Sequence, residues 1–324
     1  MNRPRRRFLH LAMGAAALQA LSPFAQAQAY PARPVRIVVG APAGSSPDMF
    51  ARLIAQWLSE RLGQPFVIEN RPGAGGNIAT EAVVRAAPDG YTLLLVSPPH
   101  AINATLYDKL NFNFIRDIAP VGGIVRTLNV MVINPSFPAK SVPEFIAYAK
   151  ANPGKINMAS AGIGSGPHLY GELFNMMTGA HMVHVPYRGG PPALTDLIAG
   201  QVQVMFIGSI EVVEHIKAGK LLALAVTTAT RSEVLPNLPA LGDFVQGYES
   251  SGWFGIGAPK NTPDEIIDTL NREINAALAD PKVKARLADV GPTLAGSPAE
   301  FGKLIAEETY KWKKVIRAAD IKAE

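Results

Sequence analysis

Short apolar runs alternate with amphipathic segments along the chain. The run Val35 to Val39 has the length of a buried strand, and apolar residues recur at helical spacing over about 47–62. Gly63 follows that segment, at the kind of position where a helix commonly ends. Further runs at 66–68 and 91–97, separated by a second helical segment, complete a β-α-β-α-β pattern. This order is typical of a parallel sheet with helices on its faces.

A second series of the same kind begins near Val130. Its predicted strands cover 130–133, 156–159, 183–185, 202–206 and 221–227, and its predicted helices cover 141–151, 167–178, 191–199 and 210–218. The chain after Ser250 holds one strand and three helices, too few strands for a sheet of its own. We therefore predict an α/β protein of two lobes, each a mixed, mainly parallel sheet flanked by helices, with two crossings between them. Lobe 1 would take 28–129 plus 250–324, and lobe 2 would take 130–249.

Residues 1–27 are typical of an export signal peptide. Four Arg lie between positions 3 and 7, an Ala-rich apolar stretch follows, and Ala25-Gln26-Ala27 forms a cleavage pattern before Gln28. The stretch is too short and too mildly apolar for a typical membrane span, so an uncleaved anchor is the weaker alternative. Arg5 and Arg6 also fit twin-arginine export, which leaves both the Sec and the Tat route open. We expect a periplasmic protein.

The predicted signal accounts for most of the positive charge. The formal charge of the chain is +5, and residues 1–27 contribute four Arg and no acidic residue, so the remainder carries +1. Its charges are scattered, and the run Lys311 to Lys314 is interpreted as a solvated helix face, so we expect no nucleic-acid partner. The chain contains no Cys, which excludes disulfides and thiolate chemistry.

Three strand-to-helix junctions are rich in Gly, Ser and Pro, at 41–48, 160–167 and 206–209. A helix N-terminus presents unpaired N–H groups and a partial positive charge, which suit a carboxylate or a phosphate. Ligands of open α/β sheets bind beyond the carboxyl ends of strands, and the loops 41–48, 97–101, 160–167 and 207–210 all follow strands. Two of these loops come from each lobe. We therefore predict a binding cleft between the lobes.

The first junction also has an explanation that needs no ligand. Ser46 suits a helix N-cap, Pro47 the first helical position and Asp48 the first turn. Alternatively, the backbone N–H groups of Gly44, Ser45 and Ser46 face an anion. The sequence leaves both interpretations open.

The second junction favours binding more strongly. Three Gly between 162 and 166 let the backbone approach a ligand closely, and Pro167 begins the next helix. A tight turn with a helix cap is the alternative. The loop 70–76 has a superficial likeness to a dinucleotide-binding loop, but Ile78 stands at the third Gly of G-x-G-x-x-G. We therefore predict a structural loop there and no nicotinamide cofactor.

No catalytic motif accompanies these loops. The sequence contains no G-x-S-x-G, no P-loop and no H-E-x-x-H. His181 and His184 would lie on opposite faces of a strand, which is unsuitable for a shared metal, so we predict structural histidines. We expect a binding protein that is not an enzyme and that holds neither a metal nor a cofactor.

Four segments carry a more specific signal: Glu69-Asn70-Arg71-Pro72-Gly73-Ala74-Gly75-Gly76, Pro88-Asp89-Gly90-Tyr91-Thr92-Leu93, His184-Val185-Pro186-Tyr187-Arg188-Gly189 and Ser251-Gly252-Trp253-Phe254-Gly255. With them the chain resembles the Bug family, also called TctC-like proteins. These are the extracytoplasmic solute receptors of tripartite tricarboxylate transporters. The resemblance covers essentially all of the chain after the predicted signal.

The resemblance implies a Venus flytrap, the two-lobed fold of periplasmic binding proteins. It would close on a small carboxylate and serve the membrane subunits of a tripartite tricarboxylate-type transporter, and we expect it to be a monomer. The ligand-binding candidates carried over by position are Ala43, Gly44, Ser45, Ser46 and Asp48 in lobe 1, Ala161, Gly164 and Ser165 in lobe 2, and in addition Tyr187, Gly208 and Ser209.

Two positions depart from the family pattern. Ser45 replaces the second Gly of the usual Pro-Ala-Gly-Gly, and Ile207 stands where Asp or Asn is frequent. A more apolar distal pocket would follow, favouring an aromatic or aliphatic carboxylate over citrate or an amino acid. Two other functions stay open: an exported α/β hydrolase, although the sequence lacks a nucleophile elbow, and a ligand sensor for a signalling partner.

Overall fold

A computed structural model describes residues 30–323, and the predicted signal peptide, residues 1–27, lies outside this range. The described chain forms two five-stranded sheets flanked by helices, which confirms the predicted α/β class. The strands are β1 Val35–Val39, β2 Phe66–Asn70, β3 Thr92–Val96, β4 Ile118–Thr127, β5 Asn129–Ile133, β6 Asn157–Ser160, β7 Val183–Pro186, β8 Val204–Gly208, β9 Leu222–Val226 and β10 Gly252–Pro259. The helices are α1 Ser46–Leu62, α2 Asn77–Val84, α3 Pro98–Leu106, α4 Phe114–Asp117, α5 Val142–Ala151, α6 Gly166–Thr178, α7 Gly190–Ile198, α8 Ser209–Lys217, α9 Asp264–Ala279, α10 Pro281–Leu287 and α11 Pro298–Ala318.

The first sheet has the strand order β2, β1, β3, β10, β4. Strands β2, β1 and β3 are parallel, with Ile37 opposite both Ile68 and Leu93. Strand β10 is antiparallel to β3 and to β4. All five residues of β3 are buried, as expected for a central strand covered by helices on both faces.

The second sheet has the order β7, β6, β8, β5, β9. Strands β7, β6 and β8 are parallel, with Met158 opposite both His184 and Val204. Strand β5 is antiparallel to β8 and β9, and all its residues are buried. In both sheets the parallel strands therefore end at the same edge, and each is followed by a helix.

The chain passes between the sheets in two places that lie side by side. Only Leu128 separates β4 of the first sheet from β5 of the second. The chain returns to the first sheet just before Gly252, at the start of β10. The Arg126 guanidinium joins the two passages, since its Nη1 donates to Glu249 Oε1 at 2.8 Å and to Ser251 Oγ at 2.7 Å.

Helix α11 connects the halves of the molecule by packing. It contacts α3 and β4 on the side of the first sheet and α6 on the side of the second. Trp312 of α11 is fully buried, and its ring centroid lies 5.5 Å from that of Tyr170 in α6. The Trp312 Nε1–H donates to Glu308 Oε2 at 2.9 Å. A large aromatic contact thus lies between elements of the two halves.

The largest difference from the sequence interpretation lies between residues 97 and 127. The segment 97–101, expected to be a loop, begins helix α3, where Ser97 and His100 form a reciprocal cap. The structure adds the short helix α4 and the ten-residue strand β4. The two adjacent residues Pro98 and Pro99 made the start of α3 resemble a loop in the sequence, although Pro is well tolerated in the first turn of a helix.

No helix within residues 30–323 combines the length and the apolar character needed to cross a membrane.

Candidate functional site

A cavity of about 600 Å³ lies between the two sheets. Its walls come from the loops after β1, β2 and β3 on one side and after β6 and β8 on the other. These are the carboxyl ends of the parallel strands, where α/β sheets usually bind their ligands. The helices α1, α3, α6 and α8 all begin at this cavity.

The loop between β1 and α1 is held by the carboxylate of Asp48, which is 2% exposed. Its Oδ2 accepts from the Gly44 N–H at 2.8 Å and from Arg52 Nε at 2.9 Å. Its Oδ1 accepts from Asn70 Nδ2 at 2.9 Å, and the same amide donates to Ala41 O at 3.0 Å. Asp48 therefore ties the loop to the end of β2, and its own hydrogen-bonding capacity is directed inward.

Asp48 is ionised under all ordinary conditions. Burial by itself raises the pKa of this carboxyl group, but the hydrogen bonds from Arg52, Gly44 and Asn70 outweigh it and lower the pKa to about 2.

The structure corrects the prediction that Ser46 is the N-cap of α1. Ser45 takes the N-cap position of α1, and no side-chain cap hydrogen bond forms there.

The loop between β6 and α6 rests on two stacked histidines. The rings of His168 and His184 are 3.6 Å apart and nearly parallel, at 8°. His168 Nδ1 accepts from the Gly164 N–H at 3.1 Å. His184 Nε2 lies 2.6 Å from Ser160 Oγ, which also accepts from the Gly162 N–H at 3.1 Å. The ring that stacks on His184 is therefore that of His168, from another element, and His184 contacts the loop through Ser160.

Both stacked rings are neutral near pH 7. Burial, together with the neighbouring His184, lowers the pKa of His168 to about 3, and burial lowers the pKa of His184 to about 4. A protonated His168 could not accept the Gly164 N–H at Nδ1, because an imidazolium has donors only.

Acidification is expected to destabilise the protein below pH 6.5 through His168. Because its pKa is lowered on folding, the unfolded chain binds the proton first, so the free energy of unfolding falls as the pH drops from 6.5 towards 3. For each proton that the unfolded chain binds in excess of the folded protein, the free energy of unfolding changes by about 1.4 kcal/mol per pH unit. Urea unfolding of wild type and His168→Asn across this range should show a smaller slope in the variant. The control Met176→Ala, at an exposed position of α6, should keep the wild-type slope. Equal slopes in His168→Asn and wild type would contradict the assignment.

Most loop N–H groups that the sequence offered to an anion are used inside the protein. The pairs, donor first, are Gly44 with Asp48, Ser45 with Pro42 O, Gly164 with His168, Ser165 with Gly162 O and Ser209 with Leu128 O. The first helical residues Ser46 and Gly166 differ, because N–H groups of the first turn have no acceptor within their helix. Both residues line the cavity, one from each side.

The eleven predicted binding residues divide into two groups. Six line the cavity: Ser46, Ala161, Gly164, Ser165, Gly208 and Ser209. The other five lie outside its lining: Ala43, Gly44, Ser45, Asp48 and Tyr187. The Tyr187 hydroxyl donates to Asp196 Oδ2 at 2.7 Å, and burial together with Asp196 raises its pKa to about 12. Gly164 has φ +73°, and a Cβ there would collide with Leu106 of α3, so the second-sheet loop approaches the first half closely.

Several lining residues escaped the sequence interpretation. The loop 70–76, predicted to be structural, contributes Pro72, Gly73, Gly75 and Gly76 to the cavity. Helix α3 contributes Asn103 and Leu106, which lie beyond the segment 97–101 that the sequence analysis placed at the cleft. From that segment itself Pro98, Pro99 and His100 line the cavity. The capping pattern at Ser97 could have revealed that helix. No local signal identified Asn129, Tyr170 or Glu211, because the tertiary fold brings them to the cavity.

The cavity wall is mostly apolar and carries few charges. Apolar side chains of Met49, Phe50, Leu106, Ile163, Ile207 and Phe254 contribute to it. The lining, all of it within residues 30–323, contains no Lys, Arg or Asp, and Glu211 is its one acidic residue. In the described part of the chain no group of three or more His, Asp or Glu side chains is arranged to hold a metal ion. The arrangement suits a small molecule with an anionic group at the helix starts and an apolar body.

Comparison with known proteins gives a consistent family. The sequence model of the protein family described as tripartite tricarboxylate transporter family receptor matches residues 50–321 of this chain. Protein BugT of Bordetella pertussis is 39% identical over 302 residues, which cover 91% of this chain and 92% of the relative.

Solved structures show the same fold. R. palustris Rpa4515 with adipate is 38% identical, with a TM-score of 0.80, and the match covers 90% of this chain and 99% of that one. MatC from Rhodopseudomonas palustris with bound malate is 32% identical, with a TM-score of 0.75 and a coverage of 89% and 100%. Periplasmic binding protein BugD is 33% identical, with a TM-score of 0.77 and a coverage of 91% and 100%.

Proposed function

Since this chain belongs to the family of tripartite tricarboxylate transporter receptors, we propose that it captures a small carboxylate in the cleft between its two sheets. It then delivers this ligand to the membrane subunits of a tripartite transporter. Capture takes place in the periplasm, after export by the Sec or the Tat route, and the receptor acts as a monomer.

One observation carries this proposal: two helix starts from opposite halves meet at one cavity. Ser46 begins α1, which has 17 residues, and Gly166 begins α6, which has 13 residues. Each helix start offers an unpaired N–H and the positive end of its dipole. A carboxylate between them would be bound from both sides, which favours closure of the cleft. The relatives crystallised with adipate and malate support a carboxylate as the ligand.

The body of the ligand would lie against the apolar part of the wall. Ile207 is 2% exposed and lines the cavity where the sequence pattern of the family frequently has an acidic or amide residue. The same lining also contains the apolar residues Met205, Ile163 and Phe254. This supports an aliphatic or aromatic body over a ligand as polar as citrate.

Binding without turnover is the function that this wall supports. A hydrolase would need an accessible Ser, a His base and an acid that orients the His. Ser97 and His100 line the cavity, but Ser97 caps α3 and its N–H donates to His100 Nδ1 at 3.0 Å. Within residues 30–323, His100 Nε2 has no hydrogen-bond partner, so no acid completes a triad.

A thermal-melting panel tests the proposal. The protein, purified from the periplasm and freed of ligand by unfolding and refolding, is melted with mono-, di-, tri- and aromatic carboxylates, amino acids and uncharged analogues. A ligand at about 100 times its Kd adds roughly 2.7 kcal/mol of stability, because it binds only the folded state. We expect a rise in Tm with one class of carboxylates and none with the matching amides or alcohols. A ligand-free protein that shows no rise with any carboxylate would overturn the proposed function.

A further inference from the structure

Glu211 is an acidic residue in a cavity proposed to bind an anion. It lies in the first turn of α8 and lines the cavity. In the described part of the chain its carboxylate forms no hydrogen bond with another residue and no ion pair within 4.0 Å. The lining offers no Lys or Arg to neutralise it. Glu211 is an exposed residue, while desolvation by the surrounding protein raises the pKa of its carboxyl group.

The side chain occupies a defined place in the wall. Glu211 Oε1 lies 3.1 Å from where a Cβ of Gly208 would be, and Oε2 lies 3.0 Å from where a Cβ of Gly190 would be. The two glycines thus leave room for the carboxylate at the starts of α8 and α7. Asn129 Oδ1 lies 3.9 Å from the same Gly208 position, and Asn129 Nδ2 is a buried donor without a hydrogen-bond partner in the described part of the chain. Asn129 is 5% exposed and also lines the cavity.

A second carboxylate on the ligand would be poorly tolerated beside the Glu211 carboxylate. Like charges held close together repel each other more strongly beside a protein surface than in bulk water, because the effective dielectric constant is lower there. A donor is favoured at the same place, because hydrogen bonds that involve a charged group are the strong ones. An ammonium group would both donate to the Glu211 carboxylate and neutralise its charge.

We propose that Glu211 is a specificity-determining residue, which selects carboxylates that carry an ammonium group, or another N–H donor, at the end opposite the carboxylate. This inference rests on the proposed function, since it assumes that the carboxylate end lies at the starts of α1 and α6. It keeps the apolar wall at Ile207 as the contact for the middle of the ligand. It departs, however, from the expectation in the sequence analysis that disfavoured amino acids, because Glu211 contacts the far end of the ligand. The preferred class is therefore an ω-amino carboxylate rather than a dicarboxylate or tricarboxylate.

Isothermal titration with matched ligands tests this selection. Hexanoate, adipate and 6-aminohexanoate share a six-carbon chain and differ only at the far end, and butanoate, succinate and 4-aminobutanoate form the same series at four carbons. In wild type we expect the amino acid to bind most tightly and the diacid most weakly in at least one series. In Glu211→Gln we expect the affinity for the amino acid to fall at least tenfold and that for the diacid to rise at least tenfold.

Glu214→Gln is the matched control. Glu214 lies one turn further along α8, pairs with Lys217 on the surface and is absent from the cavity lining. It should keep the wild-type order of affinities. An unchanged order in Glu211→Gln would show that this residue serves only the helix starts and would overturn the inference. A wild-type preference for the diacid would overturn it too. If wild type binds none of the six ligands, nor any carboxylate of the melting panel, the proposed function fails and this inference with it.

Discussion

Replacing Asp48 with Ala is expected to lower the free energy of unfolding by about 2–4 kcal/mol, because hydrogen bonds to a buried charged group are among the strong ones. The substitution removes the acceptor of the Gly44 N–H, of Arg52 and of the Asn70 amide together. The Asn70 side chain would keep its donation to Ala41 O at 3.0 Å and the long hydrogen bond that its Oδ1 accepts from Arg52 Nη2 at 3.4 Å. Urea unfolding followed by circular dichroism measures this loss.

The same substitution should weaken ligand binding. Ala41, Pro42, Ser46 and Pro47 of this region line the cavity, and Asp48 holds their loop. In the variant the loosened loop must become ordered again when the ligand binds. If this ordering costs about 1.4 kcal/mol, the Kd for the ligand rises tenfold. We expect at least that rise for the best carboxylate of the panel, measured by titration at a temperature where the variant is folded.

Two variants make the comparison specific. Asp48→Asn keeps the shape but loses the charge and one acceptor oxygen, so we expect about half of the loss of stability. Glu60→Gln removes an exposed charge from the same helix, and its effect should stay within about 0.5 kcal/mol. If Asp48→Ala unfolded like Glu60→Gln and bound the ligand normally, Asp48 would not be the anchor of the loop.

Replacing Trp312 with Ala is expected to destabilise the protein by about 3–5 kcal/mol, the usual loss for a large aromatic removed from a core. Trp312 is fully buried, packs on Tyr170 and donates to the buried Glu308. Tyr170 lines the cavity, so loss of its neighbour should also weaken binding. Chemical unfolding monitored by circular dichroism measures the first effect, and titration with the best carboxylate measures the second.

Trp312→Phe separates packing from hydrogen bonding. It retains most of the aromatic contact and removes the N–H, while Glu308 keeps its ion pair with Lys311. We expect a loss of about 1–2 kcal/mol, close to the value of one buried hydrogen bond to a charged group. A loss in Trp312→Phe as large as in Trp312→Ala would show that the hydrogen bond, and not the contact between the halves, dominates.

The anchors of the two loops suit the proposed closure of the cleft around a ligand. Asp48 stiffens the loop on one side, and the stacked His168 and His184 stiffen the loop on the other. Each loop delivers one helix start to the cavity as a preformed donor. The chain passes between the sheets in two adjacent places, which is the arrangement that the proposed closure would need.

Local patterns in the sequence predicted much of this molecule. Strand Val35–Val39, the helix that ends at Gly63 and the alternation after Val130 all appear as expected, since apolar periodicity and Gly caps act within a few residues. The resemblance to the receptor family is confirmed by the match over residues 50–321. The loops at the carboxyl ends of the parallel strands were likewise found from the β-α-β order alone, because that order fixes which loops share an edge.

Tertiary structure decided what each of these loops does. The sequence could not show that the Gly44 N–H is used by Asp48, or that His184 stacks on His168 from another element, because such pairs depend on packing between distant segments. The same holds for Glu211, which reaches the cavity only once α7 and α8 lie together. A sequence shows which backbone donors a loop contains. Only the folded chain determines which of them its own side chains have already taken, and so which remain for a ligand.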